Sequence, residues 1–195
     1  SYNIDQGVTF EYKGDNTVII WPDEEDGTRS RKIFKEWNTK EDGSGLTPPF
    51  VPTKNETLYA VAADNGVLIT FDTNANENDA NNKYGGIFSF RDAENVTEAT
   101  FAYSKDKVIG GYNVPTPQYL NDESKEFAGW STEYGKLDKI VKLDEFKPTE
   151  DIRLYAVWYN RVLVTYHANG GHYYDDTDVT YSTWVREGNK FTPSN

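Results

Sequence analysis

The sequence of 195 residues predicts a mainly β, or α+β, chain of small modules repeated in tandem. Three observations predict it. Short runs of β-branched and aromatic residues recur between Gly, Asn and Asp, which is the pattern of strands and turns. Two motifs occur twice in the same order: Phe34-Lys35-Glu36-Trp37 returns as Phe127-Ala128-Gly129-Trp130, and Leu58-Tyr59-Ala60-Val61-Ala62 as Leu154-Tyr155-Ala156-Val157-Trp158, at offsets of 93 and 96. The composition is 36% hydrophobic yet 15% aromatic, with 14 Tyr, 10 Phe and 5 Trp. That is too little apolar material for one large core and too much aromatic material for a disordered chain, so small aromatic cores are expected.

Taken in order, Val8-Thr9-Phe10-Glu11-Tyr12 reads as a strand, Gly14-Asp15-Asn16 as a hairpin turn and Val18-Ile19-Ile20-Trp21 as the return strand. The Phe-x-x-Trp and Leu-Tyr-Ala segments close the first block. Val67-Leu68-Ile69-Thr70-Phe71 opens a second, and Val164-Thr165-Tyr166 a third. Phe10 precedes Trp37 by 27 positions, whereas Phe71 precedes Trp130 by 59, so block two carries about thirty extra residues. The module boundaries expected are therefore 1–66, 67–160 with an insertion at about 74–103, and 161–195 as a partial third. In Leu154–Trp158, Leu154, Ala156 and Trp158 should share one strand face. Ser104–Val108 and Asp138–Leu143 are the two short helix candidates. The junctions 63–66 and 159–161 are too short for free linkers, which predicts a semi-rigid, elongated array.

The order Ile69-Thr70-Phe71-Asp72, Pro115-Thr116-Pro117, Phe127-Ala128-Gly129-Trp130 and Leu154 to Trp158 resembles the Listeria–Bacteroides repeat, also called the internalin-type B repeat. Val164-Thr165-Tyr166-His167-Ala168-Asn169-Gly170-Gly171 resembles that family's first strand and turn. The resemblance implies small β-grasp-like modules in extracellular bacterial surface proteins, at the cell surface or secreted, serving adhesion or spacing without catalysis. Block one departs from the pattern at Lys35-Glu36, where a Gly is favoured before the Trp, and at Ala62, which replaces the terminal Trp.

Charge narrows the partners. Twenty basic against 32 acidic residues leave −12 at neutral pH, which repels phosphate backbones and anionic membrane surfaces, so no nucleic acid is expected. No apolar run reaches the roughly 20 residues of a membrane span, so no membrane insertion is expected. Cys and Met are absent. The first absence excludes disulfides, thiolate metal sites and a cysteine nucleophile; the second favours a fragment or a processed product. No nucleophile elbow or phosphate-cradling loop occurs, and the acidic pairs Asp23–Asp26, Asp122-Glu123, Asp144-Glu145 and Asp175-Asp176 read as solvated surface, so the chain is expected not to be an enzyme. His167 and His172 read as turn residues, since zinc needs three or four ligands. No cofactor is expected; calcium alone could suit the loops Asp72–Asn82 and Asp175–Asp178, which lack an ordered calcium-loop spacing.

For binding, the recurring aromatics read as core, where each ring buries roughly 150–250 Å². The aromatics that do not recur are the ligand-binding candidates: Trp21, Tyr173, Tyr174 and Trp184, together with Phe88, Phe90, Phe101 and Tyr103 of the insertion. The last four are expected to form an added hairpin for ligand contact or for packing on a neighbouring module, so that deleting Asn74 to Thr97 would leave block two folded. The expected partners are a host or glycan ligand outside the cell and neighbouring repeats of the same chain. An alternative is a carbohydrate-binding module attached to a secreted glycan-degrading system.

Overall fold

In the computed structural model, the structure describes residues 7–11, 19–75, 86–119, 122–172 and 180–193. Their regular structure is almost wholly β. Ten strands run β1 (Ile33–Asn38), β2 (Tyr59–Ala63), β3 (Gly66–Asp72), β4 (Gly86–Phe90), β5 (Ala93–Val96), β6 (Glu98–Ser104), β7 (Gln118–Tyr119), β8 (Lys125–Ser131), β9 (Ile152–His167) and β10 (Thr180–Arg186). Only two single 3-10 turns interrupt them, at Gly111–Asn113 and Leu137–Lys139. The strands form a two-stranded sheet β1-β2, a five-stranded sheet ordered β10-β9-β3-β6 with β8 also on β9, and a three-stranded sheet β5-β4-β7.

The chain divides into two compact units, neither of them a continuous stretch of sequence. The first is built from Ser1–Ile69, Thr100–Val114 and Leu143–Ile152; the second from Thr70–Ala99, Pro115–Lys142 and Arg153–Asn195.

Each unit holds one copy of the duplicated strand pair, and the two copies share a register. In the first, β1 and β2 run antiparallel with Phe34 opposite Ala62, Trp37 opposite Ala60 and Asn38 opposite Tyr59, and a bulge lies between Phe34 and Glu36. In the second, β8 and β9 place Phe127 opposite Trp158, Trp130 opposite Ala156 and Ser131 opposite Tyr155, with the bulge between Phe127 and Gly129. A bulge puts two residues against one, so Phe and Trp three apart can turn to the same side of the pair. Their rings accordingly touch in both copies, at 5.6 Å in the first and 5.4 Å in the second.

The second unit is centred on Trp130, which is 1% exposed. Phe71, Phe88 and Phe127 pack edge-on around its indole at 4.8, 6.4 and 5.4 Å, and its Nε1–H donates to the Pro115 carbonyl at 2.9 Å. Edge-to-face geometry sets positive ring edges against negative faces and adds to simple burial. Trp158 extends the cluster through Tyr119 at 4.9 Å and lies on Gly86, where a Cβ would come within 2.5 Å of its ring. The first unit buries Val67, Ile69, Phe101, Tyr103, Ile109 and Val114. There, Arg31 grips Asp151 with two nitrogens at 2.8 and 2.7 Å, and the same carboxylate accepts the Leu68 N–H at 3.0 Å.

Several local expectations change. The hairpin over Val8 to Trp21 is not seen among the described residues, and its turn lies outside them; Phe10 bridges Phe50 instead, and Ile19, Ile20 and Trp21 belong to no strand. Pro22 follows with no N–H to extend a ladder there. Ser104–Val108 forms no helix, and of Asp138–Leu143 only Asp138 and Lys139 are helical, within the single 3-10 turn Leu137–Lys139. Ser104–Val108 is a strand end and a turn in which Asp106 takes φ +59°, and in Asp138–Leu143 the Val141 N–H bonds the Trp130 carbonyl at 2.8 Å. Pairing with the end of β8 satisfies that backbone better than a capless helix too short to be stable alone would. Phe88 and Phe90 of β4 do not form a hairpin with Phe101 and Tyr103 of β6. β4 pairs with β5 and β7 in one sheet, and β6 joins β3 in another.

Candidate binding surfaces

The ligand-binding candidates from the sequence fall in three kinds of place. Phe88, Phe101 and Tyr103 are core residues, 2–3% exposed. Tyr103 donates its hydroxyl hydrogen to the Asn113 carbonyl at 2.8 Å, and Phe101 lies under the Arg29 guanidinium at 5.7 Å. Trp21, Phe90 and Trp184 are half-buried. Tyr173 and Tyr174 lie outside the described residues, as do most of the two loops with calcium-type donors. Among the described residues, no group of three His, Cys, Asp or Glu side chains is placed to hold a metal ion. Asp72 instead accepts from Arg153 at 2.9 Å, and the Arg153 guanidinium also pairs with Glu98. His167 Nδ1 accepts the Asn169 N–H at 2.9 Å in its turn.

Trp184 is tied down rather than presented. It sits on β10 opposite Leu163, its Nε1–H donates to the Glu123 carboxylate, and the Arg161 guanidinium lies 5.7 Å from its ring. Arg186, next on that face, covers Tyr159 at 4.3 Å and pairs with Glu126, whose carboxyl the guanidinium holds below the usual range. Guanidinium groups stack on aromatic faces and bridge carboxylates at once, and here they fasten the β9–β10 hairpin beside β8.

A different aromatic pair reaches the surface. Tyr134 is 64% exposed, and its ring stands edge-on to half-buried Tyr155 at 5.8 Å. It sits in the turn after β8, and Ser131 fixes that turn. The fully buried Ser131 hydroxyl lies 2.8 Å from the carbonyls of both Glu133 and Lys136 and accepts the Glu133 N–H at 3.2 Å. Gly135 supplies a φ of +67°, Thr132 N–H bonds the Lys139 carbonyl, and Glu133 pairs with Lys139 at 3.7 Å. The first unit repeats the device with Asn38, whose Oδ1 accepts the N–H groups of Lys40 and Gly45 at 2.9 Å while its Nδ2 donates to the Gly43 carbonyl at 3.1 Å. Tyr59, opposite Asn38, is 40% exposed. The sequence marked this tyrosine as part of a core motif; its exposure depends on the loop folded beside it.

The profile of the Listeria-Bacteroides repeat domain matches residues 1–61 and 89–157. The chain belongs to this family. Each matched stretch of the repeat contains one Phe-x-x-Trp strand, and the second also contains the Pro-x-Pro turn and Leu154 to Val157. The second stretch takes in β6 and leaves β3 outside. Within it Phe101 precedes Trp130 by 29 positions, close to the 27 between Phe10 and Trp37. A protein of Evansella cellulosilytica described as a Gly-rich membrane protein is 28% identical over 183 residues. That alignment covers 88% of this repeat-bearing chain and 19% of the relative, so the chain spans about a fifth of that protein's length. No solved structure matches significantly.

Proposed function

We propose that this chain is a non-catalytic stretch of a bacterial surface protein, displayed outside the cell, that spaces or attaches other parts of a longer polypeptide. The observation that carries the reading is the duplicated strand pair, with one register in two units and each pair closed by a buried polar side chain at the end of the Trp strand. Duplication of a small aromatic module multiplies surface around repeated small cores. The family membership and the relative described as a membrane protein support the same placement. The test is topological. Antibody against the chain should label intact cells that produce the parent polypeptide, and protease added outside should remove the label without lysis. Labelling that needs permeabilised cells overturns the proposal.

A further inference from the structure

We propose that the Tyr134–Tyr155 pair is a stacking site for a neutral pyranose within an oligosaccharide. Four observations converge on it. Tyr134 is the most exposed large apolar side chain among the described residues, at 64%. Its backbone is held by the Ser131 hydroxyl, by Gly135 and by the Thr132–Lys139 bond, so little freedom remains to be lost on binding. Tyr155 packs against the ring at 5.8 Å with the planes at 75°, which steadies it while most of the Tyr134 surface stays exposed. Glu133, the neighbour in sequence, and Lys139 form an ion pair whose side chains are 55% and 49% exposed, which puts an acceptor and a donor in the same turn as Tyr134.

An exposed ring in a turn that also carries a donor and an acceptor matches the chemistry of a pyranose, which has an apolar C–H face and a belt of hydroxyls. Tyr is suited to such a surface because its apolar body carries a polar tip. The net charge of −12 repels a polyanionic glycan and leaves a neutral one. In the first unit Tyr59 keeps the motif position, but the residue at the place of Tyr134, by the same offset of 93, is Glu41, which has no ring to stack. The second unit therefore holds the site.

This deepens the surface-module reading. Titration of the purified chain does not depend on where the chain is displayed, so either proposal can fail alone. The purified chain is titrated with cellohexaose and with chitohexaose by calorimetry and by ligand-observed saturation-transfer NMR. One saturable site is expected for at least one of them. Tyr134→Ala should weaken it by at least about tenfold, a loss of about 1.4 kcal/mol, Tyr134→Phe should hold it within about threefold, and Trp184→Ala should leave it unchanged. Thermal melts of Tyr134→Ala should match the parent, since the side chain is exposed. No saturable binding of either sugar, or binding that Tyr134→Ala leaves intact, overturns the proposal.

Discussion

Gly129 shows how much one atom decides. Its φ is +150°, and an added Cβ would stand 2.8 Å from Cγ2 of Ile140. Gly129→Ala should destabilise the second unit by about 1–3 kcal/mol through overpacking and backbone strain, read as a lower urea midpoint. Trp130→Ala should cost more, about 3–5 kcal/mol by the same measurement, because it empties the centre of the aromatic cluster and orphans the Pro115 carbonyl. Trp130 was legible as core from its recurrence alone. Trp37, its counterpart, is only half-buried, since recurrence reports a shared position and not how much material lies over it. Asp151 carries a pH signature. Arg31, then the Leu68 N–H, hold its pKa at about 2, against 3.8 for an ordinary aspartate. A depressed carboxyl adds stability that is present above the unfolded value and lost as pH falls through the folded one. Denaturant midpoints should therefore drop between about pH 4 and pH 2, and Asp151→Asn should flatten that part of the profile; an unchanged slope in the variant would discount the ion pair.

The recurring element is the Trp strand with its closing loop, and the buried polar residue at the strand end holds it shut. Asn38→Ala removes one acceptor serving two N–H groups and one donor serving a carbonyl. A loss of about 1–3 kcal/mol is expected, together with faster amide exchange over residues 39–46. The sequence exposed this element well, because a fixed offset between two motifs survives any change in the loop between them. It exposed the opening strand poorly. Val67–Phe71 and Thr100–Tyr103 carry the same alternation, and both are buried on alternate residues in the five-stranded sheet. Alternation reports a half-covered strand and cannot say which copy of a repeat that strand begins. The Tyr134 site escaped for a related reason. Nothing in Leu154-Tyr155-Ala156 says that Ser131 will fold the preceding loop so that another tyrosine stands against this one.

At the scale of the molecule, β4 and β5 belong to the packing. Phe88 is 2% exposed and faces Trp130, and the Thr97 carbonyl accepts the Thr73 N–H at 2.8 Å. Deleting 75–97 should therefore collapse the near-ultraviolet dichroism of the second unit and lower its melting temperature, where a dispensable insertion would leave both unchanged. Counted from Phe71 this stretch is an addition; counted from Phe101, the two copies nearly agree in length. The compact units likewise interleave segments far apart in sequence, a long-range arrangement that local patterns do not encode.

The 16 residues of β9 run without a break from Leu154-Tyr155-Ala156, where they pair with β8, into Val162–His167, where they pair with β10. The second matched repeat ends at Val157, but the hydrogen-bond ladder does not end there. Arg161 N–H still bonds the Ser124 carbonyl, and the Asn160 carbonyl already accepts from Glu187. Duplication and folding thus keep different punctuation. A cut placed where the matched repeat ends would therefore sever one continuous strand.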